Sequence, residues 1–221
     1  MQVLPSVLAT EWDSPTFTPC REAFPPEYRT TPSAFSSHVQ DLTARDIKAP
    51  YLKSLQGYLW TRGYASGELT CPLFPDVAPR LKTWASSSPL VTLIIYSSGS
   101  IAAQKLLFQH TDSGDLTPLL TDYFDTTNAG PKTEYASYVR IWGTHSGRGK
   151  REEWLFLSDN VQEVRAARGA GMKALLVVRE GNGPVEEWER KELGAVGSFE
   201  EVRVGGSGAV AAGKSVHESE G

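Results

Sequence analysis

A chain of 221 residues that is 40 % apolar and 22 % charged has the make-up of an ordinary soluble globular protein, with length enough for a real core. Its formal charge of -4 gives no reason to expect a nucleic-acid surface. No apolar run reaches the roughly 20 residues of a membrane span, and the start, "MQVLPSVLATEW", has neither the basic region nor the cleavage site of a secretory signal.

In chain order, Leu4, Leu8 and Trp12 repeat at helical spacing, with Pro5 tolerable in a first turn. A stretch rich in Pro, Thr and Ser, from Ser14 to about Ser37, reads as a loop. Leu52, Leu55 and Leu59 in "DIKAPYLKSLQGYLW" then mark one face of a helix. After Phe74 the pattern changes. Val77, Leu81 and Trp84 space a helix, and "LVTLIIY" (90–96) is a short β-rich run. "SGSIAAQKLLF" restarts a helix, "YFD" (123–125) is a candidate strand, and Tyr135, Val139 and Trp142 space another helix. "WLFL", a helix carrying Val161 and Val164, and "ALLVVR" (174–179) complete the alternation. Apolar strands separated by helices predict an α/β fold with a parallel sheet covered on both faces. Ligands in such folds sit beyond the carboxyl ends of the strands, where Ser97, Ser98 and Asp159 fall.

Cys20 and Cys71 lie in no CxxC and near no histidine cluster, so they read as structural thiols of a reducing compartment. His38, His110, His145 and His217 have no metal spacing. "GAVAAGKS" (208–215) satisfies the GxxxxGK[ST] pattern of a phosphate-cradling loop, but only "VHESEG" follows it. Without a helix to aim amides and a dipole at phosphates, a nucleotide hydrolase is excluded as the main reading. The Gly-, Ala- and Ser-rich tail from Gly205 is expected to be disordered.

Three short stretches carry candidate chemistry. "IIYSSGS" (94–100) ends a strand in hydroxyls and a glycine before a helix, which suits a phosphate or a plain serine cap. "NAGPKTEYASY" places Lys132 at a helix start, where the dipole disfavours a cation unless an anion holds it. "WLFLSDNVQEV" ends a strand in Asp159, with Glu163 one turn on; Asp159 reads either as a ligand for a hard cation such as Mg²⁺ or as a helix cap.

Taken together, "YLKSLQGYLW", "GEL…LFPDV", "IYSSGSIAAQKLLFQHTDSGDLTPLLTDYFDT", "GPKTEYASY", "LFLSDNVQEVRAARGAGM" and "VVREGN" resemble the enolase-phosphatases of methionine salvage, within the haloacid dehalogenase (HAD) superfamily. The likeness runs over residues 1–200 or so. It implies a HAD-like parallel sheet with a small helical cap, as a cap over 1–72, an α/β core over 73–204 and a tail over 205–221. It also implies a Mg²⁺-dependent enzyme acting on 2,3-diketo-5-methylthiopentyl 1-phosphate, a small phosphorylated diketone, to give the acireductone 1,2-dihydroxy-3-keto-5-methylthiopentene and phosphate. Ser97, Ser98 and Lys132 would bind substrate, with Lys132 also catalytic. Asp159 would ligate the metal, with Glu163 supporting it through water. A monomer in cytoplasm and nucleus, without membrane or nucleic-acid partners, completes the expectation.

One departure matters. The family opens with a strand ending in an Asp-x-Glu-Gly-Thr type motif, whose first Asp attacks the phosphorus and ligates metal. That motif is absent here, and Asp13 and Asp46 stand in cap-like context. The sequence is therefore expected to lack the central strand, as a truncated enzyme or as a catalytically inactive phosphate- and Mg²⁺-binding relative. Phosphate monoesters need rate enhancements of up to about 10²¹, and no other residue here is a candidate attacker.

Overall fold

The computed structural model describes residues 3–87 and 91–204, arranged in two compact units, Met1–Cys71 and Pro72–Gly221. The GxxxxGK[ST] match and the tail lie outside the described residues. No helix among the described residues is long and apolar enough to cross a membrane.

The first unit is helical: α1 (Leu4–Glu11), α2 (Thr18–Glu22), α3 (Pro32–Ala44) and α4 (Pro50–Ala65). Leu4 and Leu8 of α1 and Leu52, Leu55 and Leu59 of α4 are buried, as their spacing predicts. The expected loop from Ser14 to Ser37 is instead largely helical, holding α2, a 3-10 turn (Pro26–Tyr28) and the start of α3. Its prolines open helices rather than breaking them, because a proline in the first turn forfeits no intrahelical hydrogen bond. Thr31 caps α3, its Oγ1 accepting from the Ala34 amide at 3.1 Å. Phe17, Phe24 and Phe35 are fully buried among these segments, with the Phe24 and Phe35 centroids 4.3 Å apart. Each such ring is worth about 1.5–3 kcal/mol of burial, which orders a stretch too polar to read as helix.

The second unit alternates helix and strand: α5 (Val77–Ala85), β1 (Leu93–Tyr96), α6 (Ile101–Gln109), β2 (Leu120–Phe124), α7 (Tyr135–Thr144), β3 (Leu155–Ser158), α8 (Val161–Gly169), β4 (Lys173–Leu176) and α9 (Glu187–Leu193). β1 pairs parallel with β2, Tyr96 opposite Phe124, and β3 pairs parallel with β4, Ser158 opposite Leu176. These are two separate two-stranded sheets rather than one continuous sheet. They nevertheless share their packing. Leu93 of β1 and Leu155 and Leu157 of β3 enter one apolar cluster with α5, while Tyr96 and Phe156 enter another with α7 and α8. The order is thus β2–β1, an interruption, then β3–β4, with helices on both faces. β1 and most of β3, which border the interruption, are only half-buried, whereas most of β4 is buried. The far side of β4 is covered by a parallel bridge from Val177 to Val196.

The helix predicted from Tyr135, Val139 and Trp142 forms, with Val139 and Trp142 packed against the core, but Tyr135 faces out and neighbouring residues are buried more deeply. Tyr138, Ser137 and Ile141 are buried, and Tyr135 is 64 % exposed. Its hydroxyl-bearing residues are needed inside for the turn described next.

Candidate active site

β1 ends at Tyr96 and β3 at Ser158, and the two carboxyl ends converge on one lysine. Lys132 Nζ lies 5.8 Å from the ring centroids of both Tyr96 and Phe156, and those centroids are 6.4 Å apart across the interruption. The residue does not begin a helix, as its sequence context predicts; it sits in the turn ahead of α7. That turn is held through its carbonyls. Tyr96 Oη donates to Gly130 O at 2.6 Å, Ser137 Oγ to Pro131 O at 2.8 Å and Tyr138 Oη to Lys132 O at 2.6 Å. Gly130, at φ 103°, takes a backbone conformation that side-chain-bearing residues rarely adopt, and a Cβ there would meet Ser137 Oγ at 2.7 Å.

Lys132 has a fixed counter-charge. Its Nζ stands 2.6 Å from Glu163 Oε2, and the Ser158 hydroxyl donates to the same oxygen at 2.6 Å. The two side chains are 18 % and 13 % exposed, so the pair is only weakly screened by solvent. Glu163 thus anchors the lysine directly. Burial pushes the Tyr138 and Tyr96 phenols up, with the Glu163 charge adding to it, so both hydroxyls stay protonated donors to the turn. Tyr138→Phe is expected to leave the Lys132 carbonyl without its donor and to lower stability by about 1–3 kcal/mol, read from urea unfolding.

Ser97 and Ser98 follow β1 directly. The Ser97 amide donates to Phe124 O at 3.1 Å and its Oγ accepts from the Gly99 amide at 3.1 Å, while Ser98 is exposed. Ser100 is the cap of α6, accepting from the Ala103 amide at 3.3 Å. Two residues that sequence patterns do not single out secure this loop. Buried Gln104 donates to Gly99 O at 2.8 Å and Phe124 O at 2.9 Å. Buried Asp125 accepts from the amides of Ile101, Thr127 and Asn128. Burial opposes the charge on Asp125, but those amides more than offset it and hold its carboxyl below the usual range.

Asp159 is exposed at the end of β3 and does not cap α8. Asn160 does, its Oδ1 accepting from the amides of Gln162 at 2.9 Å and Glu163 at 3.3 Å. The Asp159 carboxylate is therefore left for another task, and among the described residues its one hydrogen bond comes from Asn182 Nδ2, at 3.0 Å. Among the described residues no group of three His, Cys, Asp or Glu side chains is placed to hold a metal. Asp159 could supply one oxygen ligand of such a site.

A lysine beside the parallel strands, hydroxyls directly after β1 and a carboxylate directly after β3 sit at the strand carboxyl ends of an α/β fold of the HAD-like class, and solved structures agree on the fold. A putative β-phosphoglucomutase from Thermotoga maritima matches with TM-score 0.50 at 16 % identity, over 88 % of this chain and 83 % of that one. The UTR4 protein of Saccharomyces cerevisiae matches with TM-score 0.73 at 33 % identity, over 90 % of this chain and 86 % of that one. No protein-family model matches the chain. Enolase-phosphatase E1 of Botryotinia fuckeliana is 54 % identical over 91 % of this chain and 83 % of its own length, and that of Chaetomium globosum is 55 % identical over 91 % and 87 %. The chain belongs to the enolase-phosphatase E1 family.

Proposed function

We propose that the chain handles the phosphate in a Mg²⁺-dependent enolase-phosphatase of methionine salvage, acting on 2,3-diketo-5-methylthiopentyl 1-phosphate to give the acireductone and phosphate. One observation carries the reading: Lys132, held by Glu163, stands over the rings of Tyr96, which ends β1, and Phe156 within β3, with Ser97 directly after one strand and Asp159 directly after the other. In this reading the hydroxyls and amides of Ser97 and Ser98 bind phosphate oxygens, and Lys132 neutralises the charge that builds on them as the ester bond breaks. Asp159 is one protein ligand of Mg²⁺. The donor chemistry fits, because Mg²⁺ takes one or two carboxylates alongside phosphate oxygens and water, and Asp159 is an exposed carboxylate. When bound, Mg²⁺ supplies further stabilisation of phosphoryl charge.

The attacking group is assigned to a strand paired between β1 and β3. A carboxylate at its end would form a bond to phosphorus as the ester oxygen leaves, and water would then release phosphate from the acyl phosphate. The test compares the 221-residue chain with the same chain preceded by a strand ending in Asp-x-Glu-Gly-Thr, with phosphate release from the diketone as readout. Mg²⁺-dependent release is expected from the extended protein and is expected to vanish in its Asp159→Asn variant. Equal rates with and without the strand would refute the assignment of the nucleophile. A near-normal rate for Asp159→Asn would refute the metal ligand.

A further inference from the structure

We propose that Asn182 is a positioning residue for Asp159, aiming its carboxylate from a turn that is itself clamped to α5. The proposal rests on the reading of Asp159 as a Mg²⁺ ligand.

The turn Arg179–Asn182 follows β4, closed by the Asn182 amide donating to Arg179 O at 3.1 Å, with Gly181 at φ 88°. A primary amide accepts with its oxygen and donates with its nitrogen, at opposite ends of one rigid group. Both ends are used here. Asn182 Oδ1 accepts from the Arg179 amide at 2.6 Å, and Nδ2 donates to Asp159 Oδ2 at 3.0 Å. The backbone N–H can only donate, so it fixes which end of the amide faces the turn and leaves the –NH₂ facing Asp159. An aspartate at 182 would keep the first bond but could not donate to the second.

The turn has little freedom to wander, because the Arg179 side chain is tied down. Its guanidinium donates to both oxygens of Asp76, at 2.8 and 2.6 Å, and lies between the rings of Phe74 and Phe199, 4.6 and 5.3 Å from their centroids. The chain of contacts from Asp76 through Arg179 and Asn182 to Asp159 thus places one oxygen of an otherwise exposed carboxylate. Groups that orient a metal ligand in this way commonly change metal affinity by about 10–100-fold when removed.

The experiment is a double-mutant cycle on the 221-residue chain, titrating Mn²⁺ as the probe by electron paramagnetic resonance. Asn182→Ala is expected to weaken Mn²⁺ binding about ten-fold in the Asp159 background and to change it no further in the Asp159→Asn background. Unchanged affinity for Asn182→Ala while Asp159→Asn binds weakly overturns the positioning role and leaves the ligand reading standing. Equal weakening in both backgrounds also overturns it, since Asn182 would then act through the turn alone. Affinity unaffected by Asp159→Asn, or an unsubstituted chain that binds no Mn²⁺, overturns the ligand reading and this role with it.

Discussion

Asp76→Ala is expected to cost about 3–5 kcal/mol of stability, much of the 5–15 kcal/mol that a domain typically has. The carboxylate and its partner Arg179 are 9 % and 11 % exposed. Asp76 also accepts from Ser198 Oγ at 3.0 Å and from the Phe199 amide at 2.6 Å, so one truncation strands a guanidinium, a hydroxyl and an amide together. A Cm for urea unfolding close to that of the unsubstituted chain would overturn this. The same group sets a pH dependence. Arg179 first, then the Phe199 amide and Ser198 against the opposing cost of burial, lower its pKa from 3.8 to about 2. A carboxyl whose pKa is depressed in the folded state stabilises fully above its unfolded value. The contribution, about 2 kcal/mol, is therefore present above pH 4 or so and is lost as pH falls through 2. The acid limb of a stability profile should flatten by that amount in Asp76→Asn.

Lys132→Met is expected to lower kcat/KM for phosphate release by about 10²–10³ in the strand-completed protein, the usual effect of deleting one preorganised donor at a developing negative charge. The methionine keeps the apolar stem against Tyr96 and Phe156 while removing the cation. Among the described residues it leaves the Glu163 carboxylate with only the Ser158 hydroxyl, so some loss of stability accompanies the loss of rate. Glu163→Gln in the Lys132→Met background should recover stability without recovering activity. Recovery of both, or a near-normal rate for Lys132→Met alone, would refute the assigned role.

Much of the second unit is legible in the sequence because its signals are local. Apolar runs mark β1, β3 and β4, and Ser97, Ser98 and Asp159 follow those strands directly. What is not legible depends on partners distant in the chain. The Lys132–Glu163 pair spans two elements, and nothing in "GPKTEY" or "NVQEV" announces the other. Tyr138 and Ser137 are buried with their hydroxyls donating to carbonyls of the Lys132 turn, a pairing that the apolar spacing of Tyr135, Val139 and Trp142 does not announce. The stretch from Ser14 to Ser37 reads as loop because proline and threonine also open helices, and only the burial of Phe17, Phe24 and Phe35 decides the matter. Asn182 is visible as one letter of a Gly-Asn turn, and its reach to Asp159 is not.

The interruption between β1 and β3 also bears on how the chain behaves in company. Each of these strands offers a row of peptide donors and acceptors that no neighbouring strand among the described residues answers. Backbone in that condition is adhesive toward any extended polypeptide, whatever its side chains. The Tyr96 and Phe156 rings bridge the opening from one face and keep the two halves of the sheet side by side. Self-association at high concentration is therefore expected to involve these two strand edges as well as the outer surface.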